Sequence, residues 1–185
     1  FRIFAKADPT NRLLQDCFAQ IDNIDIAYFA GGEPLITDEH YLLLEEMIRK
    51  DVSKDITLRY NTNMSNLKYK KYDIIKLWHQ FKKVEVCASI DHYGDRAEYI
   101  RHGTDWGQIE KNIKLIMDLD HVQYQMNTVL SVFNYVTLAK FYEYLIDKKL
   151  LYKEQIISIY RAFTPTYYAA TALPKELKDI STPKI

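Results

Sequence analysis

Hydrophobic positions recur along the chain with two periods, and the two alternate. Short runs with a two-residue alternation predict strands at Asp25–Ala30, Ile56–Tyr60, Val84–Ser89, Val122–Val129 and Ile156–Tyr160. Their starts follow roughly the 30-residue interval of βα units. Between them the period lengthens to that of an amphipathic helix. The stretch "TDEHYLLLEEMIRK" offers Thr37 as N-cap, acids in its first turn and Arg49-Lys50 at its end. "YDIIKLWHQFKK" places Ile74, Leu77, Trp78 and Phe81 on one stripe, and "WGQIEKNIKLIMDL" does the same with Ile109, Ile113 and Ile116. "YVTLAKFYEYLIDKK" carries Leu138, Phe141, Tyr142 and Leu145, and a first helix is predicted over Asn11–Ile21. Strand and helix alternating in this way specify an α/β fold with a parallel sheet, either doubly wound or a barrel.

Three of the strands have two unlike faces. Val84, Val86, Ala88 and Ile90 oppose Glu85, Cys87, Ser89 and Asp91. Ile56, Leu58 and Tyr60 oppose Thr57, Arg59, Asn61 and Asn63; Val122, Tyr124 and Met126 oppose Gln123, Gln125 and Asn127. A parallel strand covered by helices on both sides is apolar throughout. One face here therefore meets helices and the other meets something polar. That face is either an open, wet side of the sheet or the lumen of a partial barrel holding a polar ligand. Polar residues also gather at the strand ends, where α/β proteins place their sites.

Composition narrows the class. The 185 residues suit one domain, 48% hydrophobic residues suffice for a core and 27% charged residues for a hydrated surface. Lys plus Arg equals Asp plus Glu, so nothing points to nucleic acid or an anionic membrane. No leader pattern and no apolar run of spanning length is present, and two cysteines make no disulfide framework. The expectation is a cytoplasmic protein. Residues 163–185, with three of the five prolines, form an irregular C-terminal segment. The five histidines lack metal-ligand spacing, and the glycine-rich phosphate loops and the nucleophile elbow are missing.

The chemistry collects in "IAYFAGGEPLITDEH". Gly31 and Gly32 follow the first predicted strand directly, then Glu33 and a proline. Glycine permits unusual torsions and close approach of a ligand to backbone. Exposed carbonyls there suit an ammonium group, and the next helix N-terminus suits a carboxylate. The alternative is a tight turn with a solvated Glu33.

"GGEPL" after a strand in a βα series resembles the radical S-adenosylmethionine (SAM) enzymes. "RYNTNMS", "VCASIDHYGDRAEYIRHG" and "TVLSVFN" are similar to the strand ends of their later units, and the resemblance spans Asp25–Tyr160. It implies that residues 1–162 form a partial (β/α) TIM-like barrel whose first βα unit is incomplete or missing, with a twitch or related auxiliary domain as the nearest subgroup. On matching positions it implies that the Gly31-Gly32-Glu33 backbone holds the methionyl ammonium of SAM. Ser89 and Asp91 lie near the ribose and carboxylate, and Arg101 pairs with the carboxylate through its guanidinium fork. Thr62, Asn63 and Asn127 are further candidates for polar contacts. Turn capping by Ser89 and Asp91, a surface role for Arg101, turn formation by Thr62 and Asn63 and a lumen role for Asn127 are the structural alternatives.

The family holds a [4Fe-4S] cluster through a C-x3-C-x2-C loop, and nothing in the chain matches it; Cys17 and Cys87 stand apart. Two expectations follow. Either the chain is a fragment whose cluster cysteines lie upstream, or it is a relative that has lost the cluster and binds SAM or another small molecule without radical chemistry. In the first case the resemblance implies formation of a 5′-deoxyadenosyl radical, an electron donor, and a small-molecule or peptide substrate. The 185 residues alone are not expected to cleave SAM reductively. An unrelated α/β barrel with a phosphate site fits less well, because the last strands lack a glycine-rich phosphate loop.

Overall fold

A computed structural model describes residues 12–152, 155 and 157–181. The helix α1 (Arg12–Gln20) and a 3-10 turn lead into β1 (Ile26–Phe29), α2 (Asp38–Arg49) and β2 (Thr57–Thr62). A small hairpin follows, β3 (Lys68–Tyr69) with β4 (Tyr72–Asp73), then the short α3 (Ile74–Trp78) and β5 (Lys83–Ser89). Next come α4 (Gly94–Ile100), α5 (Trp106–Met117), β6 (Val122–Leu130), α6 (Leu138–Asp147), β7 (Ile157–Arg161) and α7 (Lys175–Ser181).

Five strands form one parallel sheet in the order β1-β2-β5-β6-β7, as the alternation of periods predicts. Its register aligns the apolar faces. Ala27 pairs with Leu58 and Phe29 with Tyr60; Leu58, Tyr60 and Thr62 pair with Val84, Val86 and Ala88. The chain divides into two compact units, Phe1–Ala88 with Asn112–Tyr124 and Ser89–Lys111 with Gln125–Ile185. In the first, Leu58, Tyr60, Val84, Val86 and Ala88 are buried together with Leu43, Leu44 and Met47 of α2 and Ile74 and Trp78 of α3. In the second, Ile90, Met126, Phe141 and Leu145 are among the buried side chains. The alternate positions Arg59 and Gln123 are exposed, and Glu85, Cys87, Gln125 and Asn127 half-buried. The two-faced strands of the sequence are thus two-faced in the fold.

Several boundaries differ from expectation. The predicted helix over Tyr72–Lys83 is helical only from Ile74 to Trp78. Tyr72 and Asp73 are drawn into the hairpin, where the Tyr72 ring stacks on Tyr41 at 4.4 Å between centroids. After Trp78 the backbone closes as three-residue turns, Gln80 N–H to Leu77 C=O and Phe81 N–H to Trp78 C=O. The helix α4 was not predicted; its seven residues begin at Gly94, whose φ is 57°. In 163–181 the chain forms two 3-10 turns and α7. The predicted helix start at Asn11 and strand start at Ile156 lie outside the described residues.

Candidate functional site

The turn after β1 is built on torsion. Gly31 and Gly32 sit at φ of 91° and 57°, where a side chain strains the backbone. A Cβ added to Gly32 would meet nothing within 4 Å, so open space lies over the turn. Glu33 then caps the 3-10 turn Pro34–Ile36 and ties it to the end of β2. Its Oε1 accepts from the Thr62 hydroxyl at 2.6 Å and the Leu35 N–H at 3.3 Å; its Oε2 accepts from the Asn63 N–H at 2.7 Å. The Thr62 oxygen in turn accepts from the Met64 N–H, and Asn63 Oδ1 from the Ser65 N–H. Beneath the turn the Tyr41 hydroxyl donates to the Leu35 carbonyl at 2.8 Å. Gly31, Gly32, Glu33, Thr62 and Asn63 therefore form one braced strand-end cluster. The Glu33 carboxylate and Thr62 hydroxyl are committed to the brace, while Gly31 and Gly32 are exposed.

The second unit carries its own cluster. Asp91, 7% exposed, accepts from the Val129 N–H at 2.8 Å through Oδ1 and from Arg101 Nε at 2.8 Å through Oδ2. Arg101 caps the C-terminal end of α4, its own N–H bonded to the Ala97 carbonyl. Its Nε is committed to Asp91, and its terminal nitrogens hold no hydrogen bond among the described residues. Asn134 is fully buried and donates to the carbonyls of Asp91 and Val129 while its Oδ1 accepts from the Ser131 N–H. Sequence reading missed this residue; the Ser131 to Asn134 turn in "SVFN" was its only signal. Ser89 ends β5 half-buried, and Asn127 is half-buried on β6, its carbonyl accepting from the Ile90 N–H at 2.9 Å.

The polar sheet face of the first unit is a charged ladder. Arg59 Nε donates to Glu85 at 2.6 Å, Lys83 Nζ to Glu85 at 2.8 Å and to Gln123 at 2.7 Å, and Asn61 to the Tyr28 hydroxyl at 2.7 Å. The hydrogen bonds from Lys83 and Arg59 hold Glu85 below the usual carboxylate range. Cys17 on α1 and Cys87 on β5 are both free thiols. Among the described residues no three His, Cys, Asp or Glu side chains gather as a metal site. A cluster with three thiolate ligands needs one cysteine more than the whole sequence contains. The donor set therefore does not fit that group. No helix among the described residues is long and apolar enough to cross a membrane.

No protein-family model matches the sequence, and no curated protein does. Solved structures do match. SuiB of Streptococcus suis bound to S-adenosylmethionine superposes with a TM-score of 0.60 at 16% identity, covering 91% of this chain and 37% of that one. Native anSMEcpe with bound AdoMet gives 0.60 at 18% identity, covering 89% and 46%. The same protein with AdoMet and the Kp18Cys peptide gives 0.59 at 18%, covering 85% and 44%. The chain thus spans less than half the length of these neighbours. The superpositions cover most of its own length, and the chain has the partial (β/α) barrel fold of the radical SAM enzymes.

Proposed function

We propose that the chain is the SAM-binding portion of a radical SAM enzyme. The observation that carries this reading is the Gly31-Gly32 turn, held in left-handed torsions under open space by the Glu33 brace. Its carbonyls take the methionyl ammonium of SAM. Glu33 and Thr62 position that turn, and Asn63 offers its amide nitrogen. The second unit, taken by itself, offers a matching set: the terminal nitrogens of Arg101 suit a carboxylate, Asp91 positions the guanidinium, and Ser89 and Asn127 offer polar contacts. The neighbours solved with SAM and with peptides support SAM as ligand and a peptide or small molecule as substrate. The cysteines of this chain supply no cluster site, so no radical step is assigned to its residues.

A second reading, a binding module without cluster chemistry, is favoured by that same cysteine pair. Both readings require SAM affinity. Titration calorimetry tests it: SAM binds the wild type, and Gly32→Val weakens it by roughly tenfold or more. Equal heats in the two proteins overturn the assignment.

A further inference from the structure

Aromatic side chains of the second unit stack into a row built around a phenol with a base at its oxygen. The rings of Tyr93 and Tyr144 lie face to face, 3.9 Å between centroids and 2° from parallel. The Trp106 ring stands 6.0 Å from that of Tyr144, and its Nε1 donates to the Tyr144 hydroxyl at 3.2 Å. The same hydroxyl donates to Glu110 Oε2 at 2.8 Å. Local sequence sets the arrangement. Trp106 and Glu110 are one helical turn apart on α5, so both reach the same ring from one face. The Glu98 carboxylate accepts from the Trp106 N–H at 3.1 Å and fixes the start of that helix.

A phenol that gives up an electron becomes a strong acid, so its oxidation near neutral pH needs an acceptor for the proton. Glu110 lies within reach of that proton. The stacked Tyr93 ring presents an electron-rich face to positive charge developing on Tyr144. Lys148 Nζ, 5.9 Å from the Tyr144 centroid, acts in the opposite sense, because it repels a positive ring. Transfer of the proton to Glu110 leaves the ring neutral and removes that repulsion. A second tyrosine–glutamate pair, Tyr72 and Glu45 at 3.0 Å in the first unit, is poorer on both counts. Lys71 shares the Glu45 carboxylate at 3.3 Å, and among the described residues no tryptophan ring stacks on Tyr72.

We propose that Trp106 and Tyr144 form a one-electron oxidation site, with Trp106 as the entry, Tyr144 as the residue that holds the radical and Glu110 as the proton acceptor. The co-reactant is a small one-electron oxidant of the radical class. It takes one electron from the Trp106 indole and is itself reduced. One electron then passes from the Tyr144 ring to the indole radical cation and restores the indole, while the phenolic proton crosses to Glu110 Oε2. The products are a neutral phenoxyl radical on Tyr144, a protonated Glu110 and the reduced oxidant. This inference does not depend on SAM binding.

Pulse radiolysis of the full chain in azide solution tests it, since the azidyl radical oxidises tryptophan and is reduced to azide. The chain has two tryptophans, and Trp78 is fully buried whereas Trp106 is 6% exposed. Tryptophan-radical absorbance is expected to decay into tyrosyl absorbance at a rate independent of protein concentration. Tyr144→Phe keeps the stacked ring and should slow that conversion roughly tenfold or more. Glu110→Gln keeps an acceptor oxygen but is a poor base, and should slow it by a similar factor. Tyr72→Phe should leave it unchanged. Equal initial yields of tryptophan radical across the variants separate loss of the phenol or the base from loss of the fold, because unfolding exposes Trp78. A conversion rate that rises with protein concentration, or one that stays at the wild-type value in Tyr144→Phe or in Glu110→Gln, overturns the proposal.

Discussion

Individual residues carry torsion, charge and hydrogen bonds that substitution can read separately. Gly32 has room for a methyl group but not the torsion for one. Gly32→Ala should therefore cost about 1 kcal/mol in urea unfolding, through backbone strain without a clash. His40 is a second case. Burial lowers it from 6.5 to about 3, so the folded protein keeps it neutral while the unfolded chain takes up a proton. The stability this secures is complete above about pH 6.5 and is lost progressively as pH falls toward about 3. Between pH 7 and 5 the wild type should lose roughly 2 kcal/mol more than His40→Gln, measured by urea unfolding at each pH. Gly31 and Gly32 were legible in the sequence because only glycine serves such a turn. His40 was not, since a histidine on an amphipathic helix reads the same whether its nitrogens are buried or hydrated. Asn134 was hidden for a related reason: its partners are backbone groups of Asp91 and Val129, which leave no mark on side-chain pattern.

Elements take their limits from these contacts. The strand β2 was expected to end at Tyr60 and runs to Thr62, because Thr62 pairs with Ala88 and its hydroxyl is fixed by Glu33. No apolar residue signals that extension. The helix α3 is shorter than predicted because the hairpin draws off Tyr72 and Asp73 and three-residue turns close the backbone after Trp78. The Glu33 brace ties the turn after β1 to the end of β2 through two hydrogen bonds and caps the 3-10 turn with a third. Glu33→Ala leaves those donors unmatched and should destabilise the protein by about 2 kcal/mol, read from the urea midpoint at constant slope. Glu33→Gln keeps acceptors for only part of the set and should fall between. In the second unit, Asp91→Asn retains an acceptor for the Val129 N–H but turns a donor or a neutral oxygen toward Arg101. A loss of roughly 1–3 kcal/mol is expected in the same assay.

At the scale of the molecule, the parallel sheet and its two unlike faces followed from period and polarity alone. Val84, Val86 and Ala88 are buried and Glu85 and Cys87 are not, as their alternation requires. What the periods left open was barrel against doubly wound sheet, since both repeat strand and helix at one interval. The match to SuiB and anSMEcpe decides it, at an identity too low for the sequence to have been aligned by eye. The strand-end cluster was legible as a set of residues, but its division of labour, with Glu33 bracing and the glycine backbone exposed, required the fold. The central claim is that this backbone receives SAM. Amide chemical shifts of isotopically labelled protein, followed during SAM titration, test it most directly. The account predicts saturable shifts at Gly31 and Gly32. A titration that reaches high SAM concentration with all of these signals unmoved contradicts it.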